Sequence, residues 1–184
     1  MIVIKNKRTK IDNILKEYPD AVICDVTSKG EYKRLSPFYP HGGIPVPFSG
    51  TVTSQSVEGI WQGLKVFENE GIDLGCFDNK TMKNLKRTVR THGRCLGHQK
   101  GLGSKSLLGY IEARTLIYVP SYMWMLEHKC QEEIGEFMEL LQQGKTLVFL
   151  DYDTNEDVED PAKPLSHASL IKAYLLDSTI SIIQ

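Results

Sequence analysis

The sequence predicts an α+β fold, a helix-rich single domain with a small sheet. Three observations carry the prediction. Residues 21–26 (Ala-Val-Ile-Cys-Asp-Val) and 146–150 (Thr-Leu-Val-Phe-Leu) are short β-branched, apolar runs between turn formers, the pattern of buried strands. Residues 121–143 repeat apolar side chains at helical spacing through Met125, Leu126, Ile134, Phe137, Leu140 and Leu141. Residues 36–50 hold four prolines and three glycines, which excludes a long helix or a central strand there.

The elements follow in order. Residues 10–17 read as a short amphipathic helix that Pro19 ends. The strand at 21–26 comes next, then the proline-rich loop with room for an edge strand at 44–48. Loops of that length are uncommon unless they carry function. Thr53, Ser54 and Ser56 offer capping hydroxyls to a helix running through Phe67, closed by Gly71 and Gly75. Residues 79–91 read as a basic helix striped by Met82, Leu85 and Val89. A glycine-rich basic loop spans 93–103, and Ser104 starts a short helix through Arg114. Residues 116–119 read as a strand because Pro120 disfavours helix before it. The helix at 121–143 stops at Gly144, the strand at 146–150 leads into an acidic loop at 151–164, and a last helix covers 165–176 with Ser166 as its cap.

With 184 residues the chain can bury a real core, and residues 1–184 read as one domain. No apolar run approaches the roughly 20 residues that cross a bilayer. Residues 1–10 are basic but lack the apolar stretch of a signal peptide. Cys24, Cys76, Cys95 and Cys130 stand far apart, which argues against a zinc ribbon and for reduced thiols in the cytoplasm. The five histidines form no HExxH, and the spacing of Asp151, Asp153 and Asp157 does not match a calcium loop, so no metal is expected.

Charge is distributed unevenly. Residues 79–111 contain eight Lys or Arg and no acid, whereas 151–160 contain six acids and no base. The basic stretch suits an anionic ligand or a solvated surface equally well. Within it, Arg94, His98 and Lys100 sit among glycines that could cradle phosphate, although neither dinucleotide nor P-loop spacing is present.

The most informative segment is 56–67. On one continuous helix, Glu58, Gln62 and Lys65 at i, i+4 and i+7 would fall within an arc of about 60°, with Val57, Ile60, Leu64 and Phe67 opposite. A carboxylate, an amide and an amine would converge beside an apolar seam. Gly59 and Gly63 inside that helix each cost about 1 kcal/mol relative to alanine, so close packing or ligand approach must justify them. Trp61 lies at the edge of the polar face, where an indole can stack on a base. Asp151 and Asp153 directly follow a strand, a position where carboxylates often face a cleft.

These residues resemble the NADAR family, named for predicted links to NAD and ADP-ribose chemistry. The family's F-S-N-F motif is similar to Leu35-Ser36-Pro37-Phe38, and its S-E-H-x-x-Q-x-x-K helix is matched at Glu58, Gln62 and Lys65. Gly93-Arg94 resembles a later Gly-Arg segment. The family's C-terminal D-x-Y-W-G is not reproduced; Asp151 or Asp153 and the last helix stand in its place. The resemblance covers about 35 residues well. It implies an N-glycosidase acting on a phosphoribosyl or ADP-ribosyl base, such as ADP-ribosylated guanine or a nucleotide-like metabolite. In that reading Glu58, Lys65, Asp151 and Asp153 are catalytic, and Ser36, Phe38, Trp61, Gln62, Arg94, His98 and Lys100 bind substrate. The partner is a nucleotide-like small molecule or ADP-ribosylated nucleic acid, with no cofactor, no metal and no membrane. Two alternatives stand beside it: a sensor that binds ADP-ribose or a nucleotide without turnover, and a nucleic-acid module using residues 80–105.

Overall fold

The computed structural model describes residues 1–183, with side chains described through residue 177. In chain order the elements are β1 (Ile2–Asn6), α1 (Ile11–Glu17), β2 (Ala21–Asp25), β3 (Ile44–Pro45), β4 (Thr53–Ser54), α2 (Val57–Gly63), β5 (Lys65–Phe67), α3 (Val89–His92), β6 (Cys95–Gln99), β7 (Leu107–Leu108), α4 (Tyr110–Ala113), α5 (Val119–Lys129), α6 (Gln131–Gln142), β8 (Thr146–Asp151) and α7 (His167–Ile183). Short 3-10 turns occupy Lys33–Leu35 and Leu74–Cys76, and a π-helical turn occupies Arg114–Tyr118. The class is α+β, with small sheets. The chain forms two compact units, one of residues 1–36 with 126 onward and one of residues 37–125.

The first unit is built on a parallel sheet in the order β1-β8-β2. Val148 of β8 sits opposite both Val3 of β1 and Ile23 of β2. A central parallel strand is covered on both faces, which is why β8 is an uninterrupted apolar run with Leu147, Val148, Phe149 and Leu150 all buried. Alternation sends Val148 and Leu150 to Ile14 of α1, while Phe149 meets Phe137 of α6 with ring centroids 5.0 Å apart. β1 lies in residues 1–10, which carry no predicted strand; its alternating Ile and Val residues find a partner only because β8 presents an open edge.

The second unit combines the β3–β4 ribbon, the antiparallel sheet β5-β6-β7, α2 and the π turn. Here several sequence expectations are corrected. The helix through Phe67 stops at Gly63: the Leu64 carbonyl accepts from the Gln99 amide at 2.8 Å, and residues 65–67 pair with β6. Lys65 is therefore on a strand, and the three-residue helical arc is lost. The basic helix at 79–91 shrinks to Val89–His92. The Asn79 side chain accepts from the Thr81 amide at 2.8 Å and donates to the Lys83 carbonyl at 2.9 Å, offering the backbone a turn instead of a helix. Met82 and Asn84 accordingly adopt φ near 58°. The loop at 93–103 contains β6, and the helix expected from Ser104 begins only at Tyr110, after β7.

The strand expected at 116–119 is helical. The missing N–H of Pro120 falls where the hydrogen-bond ladder changes from π to α register, so the proline interrupts little. The long helix at 121–143 is split at Cys130, whose φ of −124° leaves the helical range. In the first unit, Arg34 Nη2 donates to the Lys129 carbonyl at 2.7 Å, taking an acceptor that a continuous helix would use. The proline-rich segment keeps an edge strand at Ile44–Pro45, shorter than 44–48.

Candidate functional site

The site starts with α2. Ser56 caps it, its Oγ accepting from the Gly59 amide at 3.0 Å. The Glu58 amide donates to the Pro37 carbonyl at 2.8 Å, which ties the helix start to the proline-rich segment. The two glycines are explained by close packing. A Cβ on Gly59 would lie 2.5 Å from the Cys76 carbonyl oxygen, and one on Gly63 would lie 2.4 Å from Phe77 Cε1.

On this helix Glu58 and Gln62 are buried and joined: Gln62 Nε2 donates to Glu58 Oε1 at 2.7 Å. Gln62 Oε1 accepts from Lys65 Nζ at 3.0 Å and from the Arg87 amide at 3.1 Å. The amide orientation is thus dictated by its neighbours, acceptor toward the amine and donor toward the carboxylate. The result is a carboxylate–amide–amine relay. Lys65 reaches it from β5, across the turn that ends α2. Burial depresses the Lys65 pKa, and the Glu58 carboxylate partly restores it.

Arg87 holds the relay's backbone in shape. Its guanidinium donates to the carbonyls of Gln62 at 3.1 Å, Lys65 at 2.8 Å and Gly71 at 2.6 Å. In the sequence it is one of the eight cations of the basic stretch at 79–111. A run of Lys and Arg carries no signal for which one turns inward, and only the apolar neighbour Leu85, also buried, hints at it.

Beside the relay lies an aromatic group. Lys65 and His98 are opposite one another in the β5–β6 pair. The His98 ring lies against Trp61 at a tilt of 33° with centroids 3.8 Å apart, while Tyr110 and Tyr118 meet Trp61 edge-on at 6.0 and 5.6 Å. Lys65 Nζ stands 6.0 Å from the Trp61 ring. His98 is only 2% exposed, and neither ring nitrogen has a well-aligned hydrogen-bond partner among the described residues. Burial, then the nearby Lys65 charge, pushes its pKa down to about 3 against a poorly aligned contact with the Trp61 backbone. His98 is therefore a neutral imidazole at any ordinary pH. Arg114, from the π turn, is buried with its guanidinium 4.6 Å from the Tyr110 ring. Tyr118 lies where the sequence predicts a strand, and Tyr110 and Arg114 where it predicts a short helix with no partner for these side chains.

The other predicted residues divide. Phe38 follows Pro37 and carries Lys86 Nζ 5.8 Å from its ring centroid. Arg94 is 76% exposed at its side chain and pairs with Glu68 at 3.1 Å. Lys100 Nζ stands 5.2 Å from the Phe48 ring. The glycines near these cations serve backbone approach: a Cβ on Gly97 would lie 2.7 Å from the Leu108 carbonyl oxygen.

Ser36, Asp151 and Asp153 belong to the first unit. Ser36 is buried after the Lys33–Leu35 turn. Asp151, at the end of β8, accepts from Ser166 Oγ at 2.7 Å and the Tyr152 amide at 2.7 Å, and pairs with His167 Nδ1 at 2.9 Å. His167 Nε2 meets the Val26 carbonyl at 2.9 Å, which requires a proton there as well. Burial opposes charge on both groups. Their mutual attraction prevails, raising the His167 pKa and lowering that of Asp151. The Ser166 hydroxyl serves Asp151, and the Ala168 amide also approaches that carboxylate, at 3.5 Å. Asp151 thus caps α7, the role expected of Ser166. Asp153 is half-buried in the loop beyond and adds to the field on His167.

Among the described residues, no group of three or more His, Cys, Asp or Glu is placed to hold a metal ion. No helix among them is long and apolar enough to cross a membrane. A family model described as "Family of unknown function (DUF6939)" matches residues 6–171. No curated protein matches the chain.

Proposed function

The chain belongs to the DUF6939 family, and from its own site we propose that it is an N-glycosidase, cleaving the bond between a ribosyl carbon and a base nitrogen in a phosphoribosyl or ADP-ribosyl substrate. The observation that carries the reading is the buried Glu58–Gln62–Lys65 relay. Such hydrolysis passes through a cationic, oxocarbenium-like sugar. Glu58 stabilises that charge and takes a proton from the attacking water as the C–O bond forms. The C–N bond breaks, and its electron pair leaves with the base. Gln62 holds Glu58 in register with Lys65. A Lys65 amine made easier to deprotonate by burial either attacks the sugar carbon itself or, charged, holds a phosphate. Trp61 supplies a stacking surface for the base. This reading is in line with the NADAR resemblance. The chemistry is assigned to the cytoplasm, which suits four free thiols.

The test is a mass-spectrometric turnover screen of wild type and Glu58→Gln against ADP-ribosylated guanine in DNA, NAD, free nucleotides and phosphoribosyl pyrimidines. Wild type should release a free base, and the variant should lose about 100-fold or more in rate with its melting temperature kept. A fully active Glu58→Gln sinks the assignment. Retention of one ligand without product favours the sensor.

A further inference from the structure

Of the two cations nominated for phosphate from the sequence, Arg94 is paired with Glu68, and Lys100 lies over the Phe48 ring. A third cation is better situated. Lys86 is exposed, and among the described residues it forms no ion pair. Its Nζ is held 5.8 Å from the Phe38 ring centroid. Both partners of that contact are one residue from a backbone anchor on the relay. Arg87, after Lys86, gives its amide to Gln62 Oε1 at 3.1 Å. Pro37, before Phe38, takes the Glu58 amide at 2.8 Å. Adjacent Cα atoms are about 3.8 Å apart, so the Lys86–Phe38 pair borders the relay. No acidic residue lies between 79 and 111 to neutralise Lys86 locally.

We propose that Lys86, steadied by Phe38, binds the phosphate of the ligand at the Glu58–Gln62–Lys65 site, so that the substrate class is phosphorylated ribosyl–base compounds and not free nucleosides. The inference rests on the N-glycosidase reading of that site. The field of Lys86 also helps depress Lys65, so a phosphate neutralising Lys86 raises the basicity of the amine beside it.

The experiment is calorimetric titration of ADP-ribose and adenosine into wild type, Lys86→Ala, Lys86→Arg and Lys105→Ala. Lys105 serves as an exposed cation of the same basic stretch. Lys86→Ala should weaken ADP-ribose about tenfold or more and leave adenosine unchanged, the loss expected for one charge-assisted contact. Lys86→Arg should recover most of it, and Lys105→Ala should match wild type. A single-stranded oligonucleotide run in parallel tells a strand phosphate from a free nucleotide by which ligand Lys86→Ala weakens. If wild type binds ADP-ribose and Lys86→Ala binds it equally well, or loses both ligands alike, the Lys86 role is overturned while the site reading survives. If wild type binds no ADP-ribose, oligonucleotide or adenosine, the site reading falls and takes Lys86 with it.

Discussion

At the residue scale, α2 turns on what its glycines allow. Alanine at Gly59 would improve helix propensity by about 1 kcal/mol. Its Cβ, however, would meet a backbone oxygen, Cys76 O, at 2.5 Å and Ser54 Oγ at 2.8 Å. Backbone cannot rotate aside as a side chain can. Gly59→Ala should therefore destabilise the protein by about 1–3 kcal/mol in urea denaturation. A neutral or stabilising result would show that the turn at Leu74–Cys76 does not constrain the helix. The turn thus packs on the helix where side chains are missing. Gln62 is the residue on which the relay depends: it uses its donor for Glu58 and its acceptor for Lys65 and the Arg87 amide.

At the scale of elements, the ends of strands and helices are set by side chains that capture backbone groups. Arg34 takes the Lys129 carbonyl and separates α5 from α6, and Gln62 Oε1 takes the Arg87 amide, a donor that a helix through 79–91 would use. The Asp151–His167 pair fastens α7 to the end of β8, and its pH dependence follows from its two shifts. His167 has a folded pKa above its ordinary 6.5, so its contribution is complete below pH 6.5 and is lost as pH rises through the folded value. Asp151 has a folded pKa below its ordinary 3.8, so its contribution is complete above pH 3.8 and is lost as pH falls through the folded value. The pair stabilises most between those limits. His167→Gln should cost about 3–5 kcal/mol at pH 5.5, because it leaves a buried carboxylate without its cation. The gap from wild type should narrow at alkaline pH; equilibrium denaturation showing a constant gap across pH would refute a charged His167.

At the scale of the whole molecule, charge decides between partners. Of the eight cations in residues 79–111, Arg87 is buried, Arg94 is paired with Glu68, and Lys100 lies by Phe48. The net charge of the chain is −1. Unmodified DNA should therefore bind more weakly than about 10⁻⁴ M at physiological salt, as a gel-shift or anisotropy titration would register. Tight binding with a steep salt slope would revive the nucleic-acid module. Much of the architecture was legible in local sequence. The β2 and β8 runs, α1 and the capped start of α2 each follow from nearest-neighbour chemistry, namely β-branched content, amphipathic period and capping hydroxyls. Glu58, Gln62 and Lys65 were also legible as a group, although the reason was partly wrong: they meet across a helix-to-strand turn and not along one helix face. Local chemistry could not show β1, which needs the edge of a strand more than 140 residues away, or the π turn, which joins the end of an expected helix at Arg114 to Tyr118, where a strand was expected. Nor could it sort the basic residues into a buried clamp, a surface pair and a cation at the rim. Sequence alone determined the α+β class, the central strand and the identity of the relay residues, because these depend on interactions within a few positions. Tertiary structure alone decided which charge is buried, which is paired and where α2 and α5 stop, because those outcomes depend on carbonyls and rings brought in from distant segments.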